Sequence, residues 1–289
     1  MSHIFYDIMQ YPVPQMQAQF LWMQEEDTII QPHHTDRSRT QEPNEIMSAY
    51  LDHIESYARL YRSIPFVEQI YLCNSITFNA LHNDSDIDIL IVTKPGMMWL
   101  ARAWSWVMFS IIWLKRQPSW HKTMKFCLSH YIDREHCNLY RTALQPYDIY
   151  LCHWIAHLVP LYSANTSYIH EIYTANRRIT HFLPNIQLSQ NIRLDIDLIT
   201  GETMFKRIME KLISWRSRVA RLHIMVIKAV WLPILSYKTR KLWDKWRGII
   251  ISDTMLKFYH DRRKRINYQY KQTLNPYQPS ISHEDESLF

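Results

Sequence analysis

The chain has 289 residues, of which 47% are hydrophobic and 13% aromatic. This composition supports a buried core and excludes a largely disordered chain, because disordered chains contain few aromatic residues. The net charge is +6, and the three glycines are too few for a glycine-rich phosphate loop or a dinucleotide-binding fingerprint.

The four cysteines show no CxxC spacing, and the start of the chain lacks the basic and then apolar plan of a secretory signal. Both features predict a cytoplasmic protein. The most apolar stretch, residues 99–114, carries Arg102 and is shorter than the roughly 20 apolar residues that cross a bilayer. We therefore expect a buried helix whose arginine reaches solvent or an acid, and we do not expect a membrane partner.

Residues 1–45 are predicted to form a helical accessory segment and a linker. Pro12 and Pro14 break the first helical piece, because proline lacks a backbone donor and restricts the residue before it. The polar stretch that follows contains His33 and His34, which would either bind a metal or lie exposed in a loop.

Apolar residues in 46–61 recur every three or four positions, which predicts an amphipathic helix. The apolar run 67–73 predicts a strand. In the polar loop after this strand, Asn74, Asn79 and Asn83 occupy positions where left-handed turns are expected, and Asn adopts that conformation most readily after Gly.

Residues 86–93 read Asp-Ile-Asp-Ile-Leu-Ile-Val-Thr and predict a strand. Successive side chains of a strand point to opposite sides. Asp86 and Asp88 must therefore share one face of the strand, while Ile87 and Ile89 take the other.

A helix over 99–115 and a strand over 125–133 follow in the apolar pattern. Residues 146–273 have a helical period interrupted by prolines, and residues 274–289 are predicted to be a disordered tail. The predicted fold class is α+β, with a small mixed sheet flanked by helices and a helical C-terminal region.

The C-terminal region is strongly basic. Residues 206–265 contain 17 Lys and Arg against 4 acids, which leaves the rest of the chain at −7. Such a surface would attract phosphate-rich partners, namely nucleic acid, nucleotides or anionic lipid. The alternative is a helical surface that Lys and Arg merely keep soluble.

Two aspartates on one strand face repel each other unless a cation lies between them. Mg²⁺ is usually held by one or two carboxylates together with substrate phosphates. Two such ions activate an attacking hydroxyl and stabilise a leaving pyrophosphate. The Asp-x-Asp pattern also arises by chance on solvated strands, so its context carries the argument.

The context is a strand that ends before Asn74-Ser75 and a second strand that begins with Asp86-x-Asp88. This arrangement resembles the nucleotidyltransferase signature of the DNA polymerase β superfamily, in which a Gly-Ser pair after one strand precedes Asp-x-Asp on the next. The resemblance implies that Asn74 and Ser75 contact the phosphates of a nucleoside triphosphate. It also implies that Asp86 and Asp88 bind two Mg²⁺ ions.

The resemblance reaches beyond the signature. Residues 5–8 resemble the opening of the helical or winged-helix-like unit in uncharacterised bacterial proteins with a nucleotidyltransferase domain, and residues 252–258 resemble a later segment. It implies a catalytic domain over residues 46–145, built on a small mixed nucleotidyltransferase sheet, and a basic helical region over 146–273.

The chain departs from the family pattern in two respects, the residues at two glycine positions and the third carboxylate. Asn74 stands where the family has Gly, and Asn79 stands where a second Gly is usual. The family supplies a third carboxylate from a neighbouring strand, for which Asp133 is the catalytic candidate; the alternative is that Asp133 is a turn residue. His82, in the loop, would either contact phosphate or lie exposed.

The predicted function is transfer of a nucleoside monophosphate from a triphosphate to an unknown hydroxyl acceptor. The basic helices would present a positive surface toward that acceptor, with the densest cluster at residues 262–265. The alternative is a catalytically silent nucleotidyltransferase-like module that binds nucleotide, RNA or a protein partner through these helices.

Overall fold

A computed structural model describes residues 5, 8, 9, 45–115, 123–144, 148–183, 194, 196–214, 217–241, 249–257 and 263–274. Within these ranges the chain forms one mixed sheet of seven strands, accompanied by eight α-helices. The predicted combination of a mixed sheet and flanking helices is therefore confirmed.

The strands, in chain order, are β1 (Val67–Cys73), β2 (Ile87–Thr93), β3 (Phe126–Asp133), β4 (Val159–Ser163), β5 (Ile199–Thr200), β6 (Ile250–Ile251) and β7 (Met255–Lys257). The helices are α1 (Glu45–Glu55), α2 (Ala58–Tyr61), α3 (Met98–Ile111), α4 (Ile149–Ala156), α5 (Ile169–Ala175), α6 (Met204–Ser214), α7 (Ser217–Lys241) and α8 (Arg263–Leu274). The sheet order is β5-β4-β1-β2-β3-β7-β6. The β2–β3 and β4–β5 pairs are parallel, and the other pairs are antiparallel.

Strand β2, near the middle of the sheet, is covered on both faces. Leu90 and Val92 lie in a core that includes residues of α4, α5 and α8. Ile89 and Ile91 lie in a second core that includes residues of α1 and α3. Because strand side chains alternate, Asp88 shares the face of Leu90 and Val92. We call this side of the sheet the carboxylate face and the other side the α3 face.

Helix α3 matches the predicted apolar helix only in part. Its first half is buried against the α3 face, but Ile111 and, just beyond the helix, Trp113 are 70% and 74% exposed. Contrary to the expectation, Arg102 does not reach solvent. It is buried, and its guanidinium lies 5.3 Å from the ring centroids of both Tyr131 and Trp231. None of the helices in the described ranges has the length and apolar character needed to cross a membrane.

The region 146–273 is less helical than predicted, because it also supplies β4, β5, β6 and β7 to the common sheet. These strands have two to five residues each, too few to show a period of two in the sequence. The predicted boundary near residue 145 is crossed by the sheet and by the core under α4.

Part of the basic charge in this region is internal. Lys206 is fully buried, and its Nζ donates to the carbonyl of Val67 and to Tyr162 Oη. Arg263 is also buried, and its Nη1 lies 3.0 Å from Asp148 Oδ2. The expectation that residues 262–265 form a surface cluster is therefore wrong for Arg263, whose charge is neutralised inside the protein.

The structure describes only part of the two ends of the chain. Phe5 is buried and stacks on the imidazole of His153, with 4.0 Å between ring centroids. The rest of the predicted accessory segment and linker, apart from residues 8, 9 and 45, lies outside the described residues, as does the predicted tail beyond Leu274.

Three buried histidines make stability depend on pH. Burial lowers the pKa of His130 to about 3 and of His157 to about 4, and it holds the pKa of His153 well below its usual range. The folded protein keeps these rings neutral, whereas the unfolded chain takes up protons near pH 6.5. Their contribution is therefore complete above pH 6.5 and is lost as the pH falls toward 4.

We expect the free energy of unfolding to fall by about 1.5 kcal/mol per histidine between pH 6.5 and 5. Urea denaturation over this range measures the change. His157→Gln removes one titrating ring and should flatten the dependence by one proton. A wild-type stability that stays constant between pH 6.5 and 5 would contradict the neutral, buried state of these rings.

Candidate metal centre

The two aspartates lie where the alternation of the strand requires. Asp86 immediately precedes β2 and Asp88 is its second residue, and both are half-buried. Ile87 and Ile89 lie in the core of the α3 face. The carboxylates therefore project together from the carboxylate face, as the sequence predicted.

A thiol completes the group. Potential ligand atoms of Asp86, Asp88 and Cys127 all lie within 4.8 Å of one another. In the sheet, Asp88 is paired with Cys73 of β1 on one side and with Cys127 of β3 on the other. Two carboxylates and one thiol at this separation can hold a metal ion.

Cys127 shares the face of Asp88 because the two residues are paired, and β3 becomes irregular only after this pair. Asp88 pairs with Cys127, but Leu90, two residues later, pairs with His130, three residues later. This β-bulge places one extra residue in β3 just beyond the Asp88–Cys127 pair. The Cys127 thiol also donates to Ser129 Oγ at 3.2 Å.

The structure does not bring Asp133 to this centre. Asp133 pairs with Thr93, five residues after Asp88, which corresponds to roughly 16 Å along the strand. Thr93 lies two residues after Ile91 and therefore shares its face. The Asp133 position, which pairs with Thr93, thus belongs to the α3 face. The Asp133 carboxylate accepts hydrogen bonds from the backbone N–H of Gly96 at 2.6 Å and of Glu135 at 3.0 Å. Asp133 thus acts as a turn residue, the alternative considered from the sequence.

Sequence reasoning missed Cys127 because it searched for a third carboxylate. The available signal was its position: Cys127 is the second residue of β3, just as Asp88 is the second residue of β2. Parallel neighbouring strands that start together bring their second residues side by side. The register of the two strands could not be read from the sequence, and without the register the position of Cys127 did not indicate that it lies beside Asp88.

Asn74 and Ser75 follow β1 in a short 3-10 turn beside the centre. Asn74 has φ of +60° and Asn79 has φ of +52°, so both adopt the predicted left-handed conformation, whereas Asn83 does not. The indole N–H of Trp154 donates to Asn74 Oδ1 at 2.7 Å. This bond directs the added side chain of Asn74 toward α4.

The opposite side of the centre is held by α1 and by the start of β3. Tyr50 Oη donates to the carbonyl of Ser85 at 2.7 Å, and the backbone N–H of Met124 donates to the same carbonyl at 3.1 Å. Met124 itself has φ of +56°, a conformation that costs about 1–3 kcal/mol in a residue of this kind. His82 is exposed, in a turn that its N–H closes on Ser85 Oγ.

The charges around the centre favour a cation. Burial raises the pKa of the Cys73 thiol well above its usual range, and the nearby Asp88 carboxylate raises it further. Burial also raises the pKa of Tyr50, with added contributions from Asp84 and Asp86. Both neighbouring groups thus stay neutral, so neither adds a charge of its own to the site.

Two of the basic helices, α6 and α7, do not face this centre, whereas α8 packs on the carboxylate face through Ile266 and Tyr270. Ile213 of α6 and Ile224 and Ile227 of α7 pack against the core of the α3 face. The sheet therefore lies between these helices and the two aspartates. The expectation that they present a positive surface toward an acceptor at the aspartates does not agree with this placement.

A cavity of about 410 Å³ opens near the far end of β3. It is lined by residues from 134–141 and from 167–175, including Arg134 and Glu171. None of the predicted site residues contributes to it, and the metal-ligand geometry at residues 86, 88 and 127 carries more chemical information than this cavity.

No family model, curated protein or solved structure matches the chain.

The conformation of Asn74 gives a prediction for stability. Asn74→Ala places alanine, which rarely adopts a left-handed conformation, at a position with φ of +60°. It also removes the oxygen that accepts the hydrogen bond from the Trp154 indole. We expect a loss of about 2 kcal/mol in the free energy of unfolding. Asn74→Gly loses the same acceptor but tolerates the backbone angle, so it should cost less.

Urea denaturation of both variants measures the difference. Trp154→Phe removes the donor and is the matched background, in which the Asn74→Ala cost should shrink to the backbone contribution. Equal costs for the alanine and glycine variants would contradict a left-handed constraint at this position.

Proposed function

We propose that the chain is a nucleotidyltransferase that binds a nucleoside triphosphate with Mg²⁺ at Asp86 and Asp88. The observation that supports this proposal is the pair of carboxylates on one strand face, within 4.8 Å of a third ligand and next to a tight polar turn. The order of elements, β1 followed by Asn74-Ser75 and then by Asp-x-Asp at β2, agrees with the signature that the sequence resembles.

The triphosphate would be held at the turn after β1. Ser75 is half-buried there, and its hydroxyl is the side-chain donor for a phosphate oxygen. Asn74 replaces the usual glycine, but its side chain is engaged by Trp154. The turn therefore keeps the left-handed backbone without directing an amide group at the phosphates.

The carboxylates supply most of what catalysis by positioning requires. Mg²⁺ bound to them would neutralise phosphate charge and favour attack of the acceptor hydroxyl on the α-phosphorus, with loss of pyrophosphate. The chain holds Asp86 rigidly, because Ile87 N–H donates to the carbonyl of Lys125 at 2.9 Å and Ser85 is bound on its other side by Tyr50. Such fixed groups lower the barrier without reorganisation during the reaction.

The ligand set fits one hard cation better than two. Mg²⁺ prefers oxygen ligands, and thiolates suit softer metals. Cys127 stands beside Asp88 where a third carboxylate is expected, and Asp133 lies at the far end of the sheet. This observation favours the second candidate, a catalytically silent module that binds a nucleotide with one Mg²⁺.

Asp88→Asn tests the role of the carboxylate. The change keeps the size of the side chain but removes its charge, so Mg²⁺ with a triphosphate should no longer raise the melting temperature, and any transfer should fall by orders of magnitude. Without metal the variant should be as stable as the wild type or more stable, because it relieves repulsion between carboxylates.

The matched control is Asp84→Asn, an exposed aspartate two residues before the pair. It should keep the Mg²⁺-triphosphate shift. Transfer is followed by mass spectrometry of the protein incubated with Mg²⁺, each triphosphate and cell extract, as an added nucleotide mass. A melting shift without transfer supports the silent module; an Asp88→Asn variant that unfolds makes the aspartate structural and contradicts both candidates.

Cys127→Asp separates the two candidates further. The substitution places a third carboxylate beside Asp86 and Asp88, so metal-free protein should be destabilised by repulsion and Mg²⁺ should bind more tightly. If the thiol limits catalysis, transfer should rise. Titration calorimetry with Mg²⁺ and the transfer assay measure both effects.

Cys127→Ser is the control of similar size without added charge, and it should leave Mg²⁺ affinity close to that of the wild type. Unchanged Mg²⁺ affinity in the Cys127→Asp protein would place residue 127 outside the ligand set.

A further inference from the structure

The α3 face of the protein carries an outer apolar surface that is independent of the metal centre. Helices α3, α6 and α7 each bury one side and expose large apolar side chains on the other. The exposed apolar residues of this outer surface are Trp106, Val107, Ile111, Ile112, Trp113, Met204, Phe205, Ile208, Leu212, Leu222, Met225, Val226, Val230, Leu232 and Ile234. Monomeric soluble proteins seldom expose so many together without an interaction partner.

Contacts between rings join the three helices into one surface. Trp106 of α3 and Trp231 of α7 make an edge contact, with 5.5 Å between ring centroids. Trp104 of α3 contacts Phe205 of α6 at 6.1 Å. Lys115, after α3, places its ammonium 4.4 Å from the Trp106 ring, so a cation borders the apolar area.

The charges on this outer surface have one sign. Residues 98–126 and residues 217–241 contain no Asp or Glu. In α6 the one acid, Glu210, is buried and paired with Lys94. Among the residues of these helices whose exposure the structure describes, the exposed charged side chains are basic: Arg207, Lys211 and Arg221.

Asp253 marks the border of this surface. It is exposed, but its carboxylate pairs with Lys228 of α7 at 2.5 Å and accepts from the Trp99 indole at 3.3 Å. The hydrogen bond from Lys228 lowers the pKa of Asp253. This acid therefore fixes α7 against α3, and its charge is balanced by Lys228.

We propose that this surface, formed by α3, α6 and α7, binds the surface of an anionic lipid bilayer. Helices that combine exposed Trp, Phe, Leu and Ile with Lys and Arg insert their apolar side chains at the boundary of headgroups and acyl chains. Basic residues beside them strengthen this binding near an anionic leaflet. The helices would lie on the membrane without crossing it, so the proposal departs from the expectation that the chain has no membrane partner.

Charge complementarity selects this occupant over two others. A second copy of the chain would bring Arg207, Lys211 and Arg221 against the same cations, which repel each other. A nucleic acid would pair with the cations but would leave the aliphatic side chains of α7 in water, because bases stack on aromatic rings. An anionic bilayer satisfies both the charge and the apolar area.

The test is co-sedimentation of the full chain with vesicles of phosphatidylcholine, either pure or containing about 30% phosphatidylserine. We expect binding to the mixed vesicles, at least about tenfold weaker binding to the neutral ones, and weakening by salt. Brominated lipid should quench part of the tryptophan fluorescence of the wild type, and this part should be missing in Trp113→Phe, because Trp113 is 74% exposed on this surface.

Two variants separate the contributions. Val226→Glu with Val230→Glu places acids on the exposed side of α7, and Arg207→Glu with Lys211→Glu reverses charge on α6. Each should reduce binding at least about tenfold. Arg177→Glu, an exposed arginine outside these helices, is the control and should change binding little. Circular dichroism and thermal melting verify that each variant is folded.

Three results would overturn the proposal. The first is equal sedimentation with neutral and anionic vesicles, or none. The second is that the wild-type protein binds immobilised RNA and both double variants lose this binding, while they still bind vesicles. The third is a wild-type dimer in light scattering that Val226→Glu with Val230→Glu dissociates, which would make the surface a contact between copies. None of these measurements depends on nucleotidyl transfer.

Discussion

Strand β2 is covered by helices on both of its faces, and this constraint decides where the chain can place charge. Ile89 and Ile91 fill one core, and Leu90 and Val92 fill the other. An ionised carboxylate within these positions would lose its hydration without compensation, at a cost of several kcal/mol. Only the beginning of the strand, where the covering layers end, can carry acidic side chains.

The two aspartates occupy this boundary, and their surroundings restrict what they can bind. Cys73 and Cys127 flank Asp88 across the sheet, so the neighbouring strands add thiols and no further carboxylate. Burial keeps Cys73 protonated. A cation at the centre would therefore receive oxygen ligands from the aspartates and from its substrate, and the character of the site depends on the register that pairs Cys127 with Asp88.

The parts of the fold set by local pattern were predictable. The shared face of Asp86 and Asp88 follows from alternation, and the left-handed backbone at Asn74 follows from residue type. The edge strands were missed because they are too short to show a period, and Cys127 was missed because strand register depends on tertiary packing. The burial of Lys206 and Arg263 could not be predicted either, because a count of charged residues does not tell which side chains point into the protein.

The sheet also separates two kinds of chemistry. The carboxylates open on one face, and α6 and α7 cover the other, with β2 and its neighbours between them. If the outer surface of these helices lies on a bilayer, the aspartates point away from the lipid and toward water. An acceptor would then approach from the side of Ser75 and α4, where Trp154 fixes Asn74. This arrangement keeps a charged triphosphate away from anionic headgroups, whose repulsion would otherwise oppose its binding. The proposed attachment to a membrane and the proposed binding of nucleotide would therefore make compatible demands on this chain, because each would use a different face of the sheet.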